Sequence, residues 1–148
     1  MDEKKVVIEL DNVKRDFLVG EETVHALRGV SFKIYEGEFV TIMGKSGSGK
    51  STLLNIIGLL DKPTRGTVSI LGQDCSGLSD RELSHFRNAN LGFVFQDFNL
   101  LDTFSLRDNI FLPLVLAGKR VQEMEQRLQP IAEQLGITKL LDKYPYEV

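Results

Sequence analysis

Apolar and polar positions along the chain follow two periods. Val6-Val7-Ile8-Glu9-Leu10 predicts a strand, Asp11-Asn12 a break, and Val13 to Leu18 a second extended stretch. Gly20-Glu21-Glu22 reads as a turn, after which Val24, Ala26 and Leu27 resume an apolar pattern. Val30-Ser31-Phe32-Lys33-Ile34 alternates as a half-buried strand should. Tyr35-Glu36-Gly37-Glu38 then turns the chain into a short strand-like run, Glu38-Phe39-Val40-Thr41-Ile42-Met43. Short strands joined by tight turns predict antiparallel pairing for this first region.

Helical spacing takes over in Leu53-Leu54-Asn55-Ile56-Ile57-Gly58-Leu59-Leu60, and Asp61-Lys62-Pro63-Thr64-Arg65-Gly66 ends it. Thr67-Val68-Ser69-Ile70-Leu71 alternates again, as a strand closed by Gly72. Ser79, with Glu82 three residues on, predicts a helix start that carries Leu83 and Phe86 inward. Leu91-Gly92-Phe93-Val94-Phe95 is a continuous apolar run, the pattern of a strand buried on both faces, with Gln96 at its end. Ser105 to Ile110 predicts a helix broken near Pro113. Val121, Met124, Leu128, Ile131, Ala132 and Leu135 form the stripe of an amphipathic helix, kinked at Pro130. Such a stripe reads as packing, not as a cofactor box.

Between the first strands and the first helix lies Gly44-Lys45-Ser46-Gly47-Ser48-Gly49-Lys50-Ser51-Thr52, which fits G-x-x-x-x-G-K-[ST] in a strand–turn–helix context. Glycines let successive backbone N–H groups turn inward to form an anion-binding concavity, and the helix behind adds its open N–H groups and positive dipole end. In this pattern Gly44, Ser46, Gly47, Ser48, Gly49, Lys50, Ser51 and Thr52 cradle phosphates. Lys50 reaches the β- and γ-phosphates, and the Ser51 hydroxyl is a ligand for Mg²⁺. The bland reading, a glycine-rich connection, leaves the Lys50-Ser51 pair unexplained.

Composition narrows the setting. The chain has 148 residues and a net charge of −3, which argues against a nucleic-acid-binding surface spread over the whole chain. No apolar run is long enough to span a bilayer. Met1-Asp2-Glu3-Lys4-Lys5 opens onto a strand pattern and not a leader, and the lone Cys75 suits a reducing compartment. A cytoplasmic protein is expected. His25 and His85 read as ordinary surface or half-buried residues, and Asp74, Cys75 and Asp97 have no ligand neighbours in sequence.

These features together resemble the ATP-binding subunit of ABC transporters, and most nearly the subfamily serving lipoprotein release and macrolide or peptide export. Asn12-Val13-Lys14-Arg15-Asp16-Phe17 ahead of Ala26-Leu27 resembles the family's adenine-stacking segment. Gly44 to Thr52 resembles its phosphate loop, with Lys45 where proline is common. Gly92-Phe93-Val94-Phe95-Gln96 resembles the strand ending in its glutamine loop. Phe98-Asn99-Leu100-Leu101, with Asn109 and Leu112-Pro113-Leu114, is similar to the subfamily's local signature.

The resemblance implies an α/β P-loop NTPase (ABC ATPase) core with an N-terminal antiparallel β region and a partial helical subdomain. Its implied divisions are 1–37 for the β region, 38–96 for the phosphate loop and core with a β insert at 66–72, and 97–148 for helices. It implies that Phe17 stacks on adenine, its alternative being a strand anchor in the core. It implies that Gln96 touches Mg²⁺ and the attacking water, its alternative being a polar strand end. Phe104, Phe111 and Leu112 are contacts for a transmembrane transporter subunit or core residues. ATP and Mg²⁺ are the implied cofactors. A second ATP-binding subunit is the implied dimer partner, and the implied location is peripheral on the inner face of the cell membrane.

In the family, Tyr144-Pro145-Tyr146-Glu147 stands just before a Leu-Ser-Gly-Gly-Gln signature, whereas here Val148 follows. The sequence also holds no apolar strand ending in Asp-Glu and no later switch histidine. These residues alone are therefore expected to bind MgATP without efficient hydrolysis, which leaves their standing as an enzyme open. Unpaired strands are expected to leave the isolated chain marginal, aggregation-prone or completed by another polypeptide. A naturally short nucleotide-binding protein or split-ATPase half is the alternative. A P-loop enzyme of another class, such as a nucleotide kinase, fits poorly with the antiparallel strands and the stretch after Gln96.

Overall fold

The computed structural model describes residues 3–148; Met1 and Asp2, the start of the leader reading, lie outside them. Two compact units divide the chain after Leu91.

The first unit is built on a long hairpin. Strand β1 (Val6–Val19) pairs antiparallel with β2 (Glu22–Tyr35) from Val19 opposite Glu22 to Val6 opposite Tyr35. The expected break at Asp11-Asn12 is instead a bulge inside a continuous strand. The register shifts between Leu10 and Val13, Asn12 adopts φ 50°, and its N–H donates to Ser31 Oγ at 2.8 Å. An extra residue raises the local twist without ending the ladder, and Asn tolerates the left-handed region. After the phosphate loop come helix α1 (Lys50–Ile57), strands β3 (Arg65–Ile70) and β4 (Gln73–Asp74), and helix α2 (Asp80–Asn90). The sheet order is β2-β1-β3-β4, and every pairing is antiparallel. Strand β3 comes so close at the bulge that a Cβ on Gly66, whose φ is +88°, would sit 2.3 Å from Asn12 O. Only glycine fits there.

The apolar side of this sheet meets α1 and α2 in one core containing Leu10, Val13, Leu27, Ile56, Val68, Ile70 and Leu83, with Phe86 packed at its edge. Each such burial contributes about 1.5–3 kcal/mol. The expected α2 cap is present, with Glu82 N–H donating to Ser79 Oγ at 3.2 Å.

Two expected strands are absent. Glu38–Met43 and Leu91–Phe95 carry no strand pairing. A strand needs a neighbour's N–H and C=O groups, and among the described residues neither run has one. Phe39 is 98% exposed, Met43 85%, and Val94 fully.

The second unit holds helix α3 (Leu106–Leu116) and helix α4 (Val121–Leu135), followed by two short 3₁₀ turns. Helix α3 does not break at Pro113 but runs through it to Leu116. Its core is Phe111, Met124, Leu128, Ala132 and Leu141, which decides Phe111 for packing. Val121, Ile131 and Leu135 of the expected stripe are exposed, as are Phe104 and Leu112. Asn109 fixes the loop before α3: its Oδ1 accepts from Leu101 N–H at 2.8 Å, and its Nδ2 lies 3.0 Å from Leu101 O and Ser105 O. Arg107 ties α3 to Glu125 of α4 at 2.7 Å and to Asp142 at 3.2 Å, and the Asp142 bond chiefly raises its already high pKa.

Candidate functional site

A cleft of about 680 Å³ opens in the first unit between the β1–β2 hairpin and the glycine-rich loop. Phe17, Val24, His25, Ala26 and Arg28 line it from the hairpin, and Ser46 through Thr52 line it from the loop. That volume lies in the range of small-molecule sites.

Local chemistry shapes the loop. Ser48 N–H folds back onto Lys45 O at 3.1 Å. Gly49 precedes α1 with φ +95°, and a Cβ there would stand 2.7 Å from Ala26 O on β2. The loop thus lies directly against the hairpin where only glycine fits. The first helical amide to close on the backbone is Leu53, which donates to Gly49 O at 2.8 Å. The N–H groups of Lys50, Ser51 and Thr52 ahead of it have no helical acceptor, the usual state of a helix start. Gly44 lies beneath the loop, where a Cβ would come 2.6 Å from Ser48 Oγ. The Lys50 ammonium folds back to donate to Gly44 O.

The cleft is electropositive. Arg28 and Lys50 line it, and no carboxylate does among the described residues. Of the lining side chains, His25 is bonded through Nδ1 to Asp16 Oδ1 at 2.7 Å. At the aromatic end the Arg15 guanidinium lies 4.1 Å from the centroid of the Phe17 ring. An aromatic face, a positive wall and open amides suit a ligand with a flat apolar part and an anionic part.

A family model described as ABC transporter matches residues 27–147. The chain belongs to the ABC transporter ATP-binding family. It is 45% identical over 97% of its length to an uncharacterized ABC transporter ATP-binding protein of Thermotoga maritima, of which it spans 62%. It is 47% identical over 94% of its length to the macrolide export ATP-binding/permease protein MacB of Chlorobium luteolum, of which it spans 21%. Among solved structures it resembles an ATP-binding cassette solved as a dimer in a post-hydrolysis state with ADP and Pi. There the TM-score is 0.87 and the identity 40%, over 95% of this chain and 62% of that one. The α/β ABC ATPase fold is therefore that of this chain.

The cleft brings Phe17 together with Ser46, Gly47, Ser48, Gly49, Lys50, Ser51 and Thr52 of the ABC family's expected set, with Gly44 supporting them from below. Gln96 is not among the lining residues; it is exposed, in the unit that begins at Gly92. Sequence reasoning missed Val24, His25 and Arg28. Counting outward from the Gly20-Glu21 turn would have found the first two, since Phe17 faces Val24 and Asp16 faces His25. It would have misplaced Arg28, because the register slips between Arg15 and Asp16.

Proposed function

We propose that this chain is the nucleotide-binding part of an ABC transporter ATP-binding subunit and takes MgATP in the cleft. The observation that carries the reading is the joining, in one cleft, of an aromatic ring at one end and the amide-rich Ser46–Thr52 loop at the other. Adenine would lie on Phe17. Lys50, released from Gly44 O, would hold the outer phosphates, and the open amides of α1 the inner ones. The donor set suits Mg²⁺ rather than a cation held wholly by protein. Among the described residues no three His, Cys, Asp or Glu side chains gather, so Ser51 and phosphate oxygens would hold the ion. Bound there, Mg²⁺ neutralises phosphate charge.

Gln96 is assigned to the attacking water and the ion, and the 97–148 segment to a helical subdomain. By analogy with the dimeric cassette and the ATP-binding/permease MacB, the intact protein would work as a dimer on a transmembrane subunit, peripheral to the inner face of the membrane. No helix among the described residues is long and apolar enough to cross a membrane.

One observation favours binding without efficient turnover by these residues alone: among the described residues no carboxylate lines the cleft to polarise water. Titration calorimetry with MgATP tests the site. Lys50→Ala should weaken binding by about 100-fold, the scale of two lost charge-assisted phosphate bonds. Unchanged affinity would sink the site. Phosphate release above blank from the unaltered chain would count against the binding-only form.

A further inference from the structure

The turn after α1 reaches back to β1 at three places beside the aromatic end of the cleft. Thr64 N–H donates to Lys14 O at 2.8 Å, and Asp16 N–H donates to Thr64 Oγ1 at 2.9 Å. Between them, Arg15 Nε donates to Asp61 Oδ2 at 2.8 Å and Arg15 Nη2 to Asp61 Oδ1 at 3.3 Å. A third bond runs from Arg15 Nη1 to Asp16 O at 2.9 Å. The guanidinium is thereby fixed in plane and in place, over the Phe17 ring. Arg15 and Phe17 are two apart on one strand and so project to the same side. Phe17 lines the cleft, whereas Arg15 is not among its lining residues, so the cation supports the ring without itself forming the cleft wall.

We propose that Arg15, held by Asp61, is the positioning residue for the Phe17 platform, so that the turn after α1 sets how firmly the base is gripped. This rests on the MgATP reading of the cleft. The residues just beyond Phe17, Leu18 and Val19, are exposed, so the strand end packs against little else. Without the guanidinium the ring would regain rotamer freedom, and the nucleotide would have to order it on binding. The Arg15 charge is matched by Asp61 and therefore adds little pull on phosphates. Its loss should be felt through the base alone.

The test is titration of the full chain with MgATP and, separately, with magnesium tripolyphosphate, which has phosphates but no base. Arg15→Met and Asp61→Asn should each weaken MgATP about fivefold to tenfold and leave tripolyphosphate within about twofold, the scale of a lost ring–cation contact. Arg15→Lys, which keeps the charge and loses the flat stack, should fall between them and the unaltered chain. In a Phe17→Leu background, Arg15→Met should change MgATP affinity by less than about twofold. Equal losses for both ligands, an undiminished Arg15 effect without the ring, or indifference of MgATP to both Arg15→Met and Asp61→Asn would overturn the inference. If Arg15→Met does not fold, Asp61→Asn and Arg15→Lys carry the same comparison. An unaltered chain that binds neither ligand would overturn the function proposed above; one that binds MgATP regardless of Arg15 overturns only this inference.

Discussion

Strand β3 and the run Glu38–Met43 look alike as sequence, yet they end differently. Both are six residues long, and each holds a Val, a Thr and an Ile, the β-branched residues that favour strands. In β3, Val68 and Ile70 are each 2% exposed, because β1 offers a register from Ile8–Ile70 to Lys14–Arg65. In Glu38–Met43 no neighbour offers one, and Phe39 and Met43 face solvent. Leu91–Phe95 repeats the second case. Phe93 and Phe95 stack on each other with centroids 5.6 Å apart, while Val94 between them is fully exposed. Apolar pattern measures a segment's demand for burial. Whether that demand is met depends on a partner strand, which the segment does not encode.

The sharpest way to break this comparison is to cut the same kind of side chain from each region. Ile70→Ala should lower unfolding free energy by about 3 kcal/mol, the transfer and cavity cost of a fully buried aliphatic residue. Chemical denaturation of the purified chain measures it. A loss near zero would mean that β3 is no better packed than the unpaired runs.

A second comparison uses thiols. Cys75 is buried beside Val68 in the first core, and burial, above all, raises its thiol pKa, so less thiolate is present at neutral pH. A new thiol from Val94→Cys would be open to solvent. Labelling with an aromatic disulfide reagent should run at least about 100-fold slower at Cys75, limited by opening of the core. Equal rates would place Cys75 outside a stable core.

Much of the molecule was legible because its signals are local. The cap at Ser79, the α1 helix behind Lys50 and the G-x-x-x-x-G-K-[ST] loop each depend on residues within one run of eight. What sequence reading missed depends on distant pairs. The Asn12 bulge is fixed by Ser31 and Gly66, and Arg28 reaches the cleft only through a register slip opposite Arg15. Asp61 read as a helix breaker, yet its carboxylate holds a side chain 46 positions earlier. Pro113 was misread for another reason. Proline ends a helix where its ring clash and lost N–H go uncompensated. In α3 the chain carries on past it, with Ala117 N–H donating to Pro113 O at 3.1 Å and Lys119 N–H to Leu114 O at 2.9 Å.

The smallest expected effect is the most discriminating. Phe39→Ser and Val94→Thr remove large apolar groups, and a rule based on hydrophobicity alone would assign them costs like that of Ile70→Ala. Their exposure says otherwise, since a side chain already in water loses no burial on truncation. Each should change unfolding free energy by less than about 0.5 kcal/mol. The two changes together should reduce binding of a hydrophobic dye and self-association in sedimentation, because exposed strand-like apolar runs recruit other chains. Stability losses near 2 kcal/mol would show that these runs are covered in solution, by each other or by a second copy. The contrast between β3 and Glu38–Met43 would then collapse.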